Sequence, residues 1–300
     1  MNKTNFGDYL NKSKSRKIYK IFDQNLKREF SYWHFRKLFK SYTRQSDVHE
    51  LKVCTQNDGT MEQIWIDKAN QFGVAVTWKD NSIIGFVMRP LINYDAIKNE
   101  TTLKYAVPTT DCYEFFWGGD NELYNYHYLY PHQRYAIDLV IKENHKTYKN
   151  QGKVNTDYFC FGKDIIAPAN GTVEKVVNGV QDNSIGSTNE SQFLGNYIVI
   201  KHAENEYSLI AHLQQYSIIV NELLGYTHLQ QYSIIVNEGQ NVKYGDIIGK
   251  VGNSGNSTEP HIHFQVMNDK NIEACTSLKI RFLNNLELIK GDVVCGLQGE

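Results

Sequence analysis

The stretch from Gly239 to Met267 reads G-Q-N-V-K-Y-G-D-I-I-G-K-V-G-N-S-G-N-S-T-E-P-H-I-H-F-Q-V-M, and its reading decides the fold. Gly239, Gly245, Gly249, Gly252 and Gly255 separate short apolar runs. At tight turns between short strands glycine adopts the positive φ that other residues resist, so the run reads as a β meander. It ends in Pro260-His261-Ile262-His263-Phe264. In a strand, side chains two apart share a face, so His261 and His263 project together while Ile262 and Phe264 point the other way. Two imidazoles on one face suit a metal site, although an isolated H-x-H also fits surface or packing histidines.

Working outward from this stretch, the chain from about Thr101 alternates short strands with Gly, Asn, Asp and Pro turns. Expected strands are 113–117, 135–141, 172–177, 197–202, 207–212 and 261–267, with polar loops over 142–160 and 178–195. The fold class expected here is a mainly antiparallel β domain. The segment H-L-Q-Q-Y-S-I-I-V-N-E occurs at His212–Glu222 and again, unchanged, at His228–Glu238. A single adjacent copy is too short for a solenoid. Because sheet register admits one copy, the other is expected to bulge out as an insertion.

The N-terminal third follows a different period. Over 13–44, Ile18, Phe22, Leu26 and Phe30 recur at every fourth position, and Ser31 caps a second helix striped by Phe35, Leu38, Phe39 and Tyr42. Phe72, Val74, Val76 and Trp78 then alternate, a turn occupies Lys79–Ser82, and Ile83–Met88 forms the next strand. Helices before a meander imply a small α+β domain, which in element order resembles the cone-shaped, nuclear-transport-factor-like domains. His34 and His49 read as surface or packing residues. The expected division is an accessory α+β domain over 1–92, a β domain over 101–285 and a C-terminal tail over 286–300.

Bulk composition narrows the function classes. With 41% hydrophobic and 13% aromatic residues the chain has material for real cores and is not disordered. Thirty-two Lys and Arg against thirty-three Asp and Glu leave no basic excess, which argues against a nucleic-acid partner. Five cysteines (Cys54, Cys112, Cys160, Cys275, Cys295) show no C-x-x-C pair. Buried free thiols are expected, with room for one disulfide. No signal-peptide pattern or membrane-spanning run is legible, and nothing bears on oligomeric state.

Further motifs stand in order along the chain: Tyr135-Ala136-Ile137-Asp138, Ala167-Pro168-Ala169-x-Gly171-x-Val173, Gly195-Asn196-Tyr197-x-Val199-Ile200, and an Ala211-His212-Leu213 triplet ending a strand. With the Gly239–Met267 run, this set resembles the lysostaphin-type (duplicated hybrid motif) zinc metallopeptidases over about 105–267. The resemblance implies zinc as cofactor, Asp138 and His263 as ligands, and His261 and His212 as catalytic histidines. It also implies a first ligand four residues before the aspartate, where this chain has Arg134, a cation that cannot ligate zinc. His132 is expected to replace it, since in an extended segment it shares a face with Asp138. His127 is the alternative. Between the two repeat histidines, His212 is favoured over His228 because a strand leads into it.

The function this implies is a zinc-dependent endopeptidase acting on peptide cross-links of peptidoglycan, working outside the cytoplasmic membrane. A degenerate, non-catalytic relative that binds wall peptide or regulates a partner hydrolase is the rival that Arg134 favours. The glycine spacing also occurs in lipoyl- and biotinyl-carrier hairpins, but those need a modifiable lysine at a turn and have no use for Pro-His-Ile-His.

Overall fold

The computed structural model describes residues 5–94, 99–215, 218–219, 230–231 and 235–296. The chain forms two compact units, Met1–Tyr94 with Asn121–Tyr126, and Asp95–Asp120 with His127–Glu300.

The first unit begins with helices α1 (Phe6–Asn11), α2 (Ser15–Ile21), α3 (Gln24–Glu29) and α4 (Tyr32–Tyr42). The antiparallel strands β1 (His49–Asn57), β2 (Thr60–Asp67), β3 (Phe72–Lys79) and β4 (Ser82–Pro90) follow, in the order β1-β2-β3-β4. The first helical stripe is interrupted where the spacing alone predicts continuity. Asp23 takes an extended conformation and its carboxylate accepts from the Leu26 amide at 2.8 Å, starting α3 afresh. Aspartate prefers this cap to a mid-helix position, where it competes with the backbone. Ile18, Phe22 and Leu26 remain buried, while Phe30 and Leu38 of the expected stripes are exposed. Ser31 caps α4 as expected, accepting from His34 N. The core joins Phe35, Phe39 and Tyr42 to Val74, Val76 and Trp78. His49 is a packing residue whose Nε2 meets the Tyr42 hydroxyl at 2.7 Å.

The second unit contains β5 (Glu100–Tyr105), β6 (Cys112–Trp117), β7 (Ile137–Val140), β8 (Asp164–Ile166), β9 (Gly171–Val177), β10 (Asn196–Ala203) and β11 (Glu206–Leu213). It continues with β12 (Ile218–Ile219), β13 (Gln230–Gln231), β14 (Asn241–Val242), β15 (Ile247–Lys250), β16 (Ile262–Met267), β17 (Ser277–Phe282) and β18 (Val293–Cys295). The main sheet runs β14-β9-β10-β11-β16-β7-β6-β18, and β17 bridges β16 to β5. Its pairings are antiparallel except β5–β17. Alternation divides the strands cleanly. Ile198, Ile200, Ile210, Ile262, Phe264 and Val266 face the large core, and Val199, Leu209, Ala211 and Met267 face the other way. Glycine is required at two close approaches. Gly195 holds φ +62° with a Cβ-sized space already filled by the Ser254 backbone, and a Cβ on Gly252 would run into the backbone of Gln214.

The stretch expected as a tail supplies β18. It pairs with β6 so that Cys295 lies opposite Cys112, and the two form a disulfide. Cys160 and Cys275 are the buried free thiols, and Cys54 is exposed. The bridge joins residues 183 apart, so it removes much freedom from the unfolded chain. Replacing Cys295 by serine is expected to lower unfolding free energy by about 2–5 kcal/mol, read as a lower denaturant midpoint. Equal midpoints for the variant and the oxidised parent would contradict it. No helix among the described residues is long and apolar enough to cross a membrane.

Candidate metal centre

Strand register builds the centre. On β16, His263 stands directly opposite Asp138 of β7, and opposite Ala211 of β11 on its other side. Opposed residues of an antiparallel pair hold their Cβ atoms about 4.5–5.5 Å apart, so the two side chains must meet. Nδ1 of His263 lies 3.0 Å from Asp138 Oδ1, and Nε2 of His261 lies 3.8 Å from the same oxygen. The other carboxylate oxygen faces Nε2 of His127 at 3.6 Å. Among the described residues, His127, Asp138 and His263 form a group whose ligand atoms all lie within 4.8 Å of one another, and all three are buried.

The third member is therefore His127, not the expected His132. The expectation needed an extended segment before Asp138, but residues 131–135 form turns and β7 begins only at Ile137. Strand alternation does not apply across a turn, so His132 is not carried to the face of Asp138. His132 is partly buried and contributes its main-chain oxygen, which accepts from Gln265. Arg134 lies with its guanidinium over the Tyr128 ring, 5.8 Å from the centroid. His127 sits in a short 3-10 turn, Tyr126–Leu129. Helical turns carry no period-2 signal, and its flanking tyrosines are the only local hint of burial.

His212 reaches the centre through a break in its strand. Asn196 pairs with Leu213 and Ile198 with Ile210, so Ala211 and His212 together oppose Tyr197. This is a β-bulge. In a regular strand His212 would follow Ile210 into the core; the extra residue restores Leu213 to the core and leaves His212 on the outer face. His212 takes φ +63°, uncommon for a residue with a Cβ. The conformation is held from both sides. Its amide donates to Leu194 O, and the Leu213 carbonyl accepts from Ser254 Oγ at 2.7 Å and Asn196 Nδ2 at 3.0 Å. The His212 ring then lies 4.8 Å from that of His261 and 5.7 Å from that of His263, centroid to centroid.

Burial and proximity set the protonation states. Burial pushes His127 down to about 3, only partly opposed by Asp138. Burial, then His261 and His263, hold His212 well below the ordinary imidazole value. Burial alone would raise Asp138, but His127, His261 and His263 outweigh it and keep the carboxyl below its usual range. A neutral His127 and an ionised Asp138 converge with His263. That nitrogen and oxygen set is one zinc takes readily, and it leaves a tetrahedral position for a further ligand.

Residues 220–274 match peptidase family M23. Over that stretch the chain is similar to M23 peptidases. A relative is the peptidoglycan DD-endopeptidase ShyC of Vibrio cholerae serotype O1, 31% identical over 106 residues, which cover 35% of this chain and 19% of that protein. The chain thus spans about a fifth of the curated relative's length. Among solved structures, the catalytic domain of lysostaphin from Staphylococcus simulans is 21% identical over 47% of this chain and 73% of that one, with TM-score 0.28. A zinc-containing peptidase from Vibrio cholerae is 14% identical over 74% of this chain and 56% of that one, with TM-score 0.31.

The family match contains His261 and His263, whereas Asp138, His127 and His212 precede it. The matched residues also include His228, from the second copy of the tandem repeat. The described β unit uses the head of the first repeat copy and the end of the second. Gln214 N donates to Lys250 O and Gln215 N to Asp182 Oδ2; after the repeat junction, Ile235 N donates to Ile248 O, and Glu238 Oε1 accepts from Val176 N. Val236, from the second copy, packs in the large core. Ile218–Ile219 pair with Gln230–Gln231 in between, and His228 lies outside the described residues.

Proposed function

We propose that this protein is a zinc-dependent endopeptidase that hydrolyses peptide bonds in bacterial peptidoglycan cross-links. The observation that carries the reading is the convergence of His127, Asp138 and His263 beside His212 and His261. His127, Asp138 and His263 would hold the zinc. When bound, it supplies Lewis-acid chemistry, lowering the pKa of water and polarising the scissile carbonyl.

The remaining histidines handle protons. Nδ1 of His212 faces Ser254 O at 2.8 Å, and Nδ1 of His261 faces Glu259 O at 2.9 Å. A carbonyl oxygen only accepts, so both Nδ1 atoms carry hydrogen and both Nε2 atoms keep a lone pair when neutral. His212 Nε2 then accepts the proton of the attacking water and can return it to the leaving amine, and His261, when it carries a hydrogen on Nε2, can donate to the developing oxyanion.

The non-catalytic rival drew its support from Arg134 in a ligand position; with His127 supplying a third donor, that motive disappears. The Cys112–Cys295 bridge supports action in an oxidising compartment, outside the cytoplasm. For the N-terminal unit, helices followed by a four-stranded meander support the nuclear-transport-factor-like reading, as an accessory domain over 1–92. Digestion of purified peptidoglycan by the full chain, with mass spectrometry of the released fragments, tests the function. New peptide termini at cross-links, abolished by a chelator and restored by zinc, are expected. Intact cross-links with zinc-loaded protein would sink the proposal.

A further inference from the structure

Gln265 lies two residues beyond His263 on β16, so strand geometry puts both side chains on one face. It is completely buried. Its Oε1 lies 3.1 Å from His263 Nε2, and its Nε2 lies 2.9 Å from the main-chain oxygen of His132 and 3.6 Å from Met267 Sδ. The His132 oxygen and the thioether sulfur can only accept hydrogen bonds. The amide therefore has one workable orientation. Reversing it would set Oε1 against two acceptors in a site without room for error, since buried polar groups need partners. With Oε1 turned to His263, that ring must carry hydrogen on Nε2. Nδ1 is left facing Asp138.

We propose that Gln265 is a positioning residue that selects the His263 tautomer, presenting the Nδ1 lone pair to a metal held beside Asp138, with its own orientation set by the His132 carbonyl. The consequence for metal binding rests on the zinc reading above; the tautomer itself does not. Without an acceptor at Nε2, the favoured neutral ring would carry hydrogen on Nδ1 and donate it to the Asp138 carboxylate. That charge-assisted bond would have to break before a cation could enter. The same chain of bonds gives His132 a role through its backbone carbonyl.

The test compares full-length wild type, Gln265→Leu and Gln265→Glu. Leucine removes the acceptor at similar volume, and glutamate keeps an acceptor at the same place while its second oxygen, when protonated, still donates to the His132 carbonyl. Chelator competition with zinc is expected to show Gln265→Leu weakened about 10–100-fold, the usual range for partners that orient metal-bound histidines, and Gln265→Glu recovering most of the loss. Ring-nitrogen NMR of the metal-free proteins should find His263 protonated at Nε2 in wild type and Gln265→Glu, and at Nδ1 alone in Gln265→Leu. If Gln265→Leu does not fold, Gln265→Met removes the same acceptor with a more adaptable side chain and is read identically. Unchanged zinc affinity with an unchanged His263 tautomer in the apolar variants would overturn the inference. A wild type that binds no zinc would instead sink the zinc reading, and the tautomer comparison would still decide this one.

Discussion

Asp138→Ala is expected to purify without zinc and to leave peptidoglycan intact. The carboxylate meets three imidazoles at once, at 3.0, 3.6 and 3.8 Å, so its removal takes the one carboxylate from the His127, Asp138 and His263 group. His263→Ala and His127→Ala should each lose zinc by more than the roughly 10–100-fold typical when only an orienting partner is removed. His132→Ala should keep its metal, because the backbone carbonyl that holds Gln265 survives the substitution and the converging group is His127, Asp138 and His263. Arg134→His should bind zinc no more tightly than wild type, since the side chain lies over Tyr128. Elemental analysis and chelator competition across the five variants check this. Zinc retained in His127→Ala but lost in His132→Ala would reverse the assignment of the third ligand.

His212→Ala is expected to retain zinc and to lose about 10²–10⁴-fold in turnover, the range for a general acid or base. His228→Ala should match wild type. So should deletion of residues 216–231, which fuses Gln215 to Tyr232 and leaves one intact H-L-Q-Q-Y-S-I-I-V-N-E segment. The flanks kept by the deletion are those seen bonded into the sheet and packed in the core. Wall hydrolysis measured for the three proteins decides it. An active His212→Ala alongside an inactive His228→Ala would mean that the second copy supplies the functional histidine.

Much of the centre was legible because part of it is built from strand periodicity. His261-Ile262-His263 places two imidazoles together by the pleat, and the apolar Ile262 and Phe264 declare which face is core. The strands over 113–117, 172–177, 197–202 and 207–212 were readable for the same reason. The short strands β8, β14 and β18 were not, since two or three residues carry no period. In the N-terminal unit, a fourfold spacing ran through Asp23, where one hydrogen bond to Leu26 N restarts the helix.

The amino-acid order by itself determined that the C-terminal part is an antiparallel β domain, through alternation and turn chemistry, which are local. The pairing of Asp138 with His263 was legible only through the resemblance of the ordered motifs to a known family, and strand register then sets the two side by side. Only the tertiary structure decided the rest. His127 enters the centre from a 3-10 turn eleven residues before Asp138, where no strand period relates the two. His212 faces the centre because a bulge and φ +63° turn it away from the side that alternation assigns, held there by Asn196 and Ser254. Gln265 chooses its orientation from a carbonyl 133 residues away in sequence. For His212 and Gln265 the deciding contacts are hydrogen bonds between distant segments, which leave no spacing to read.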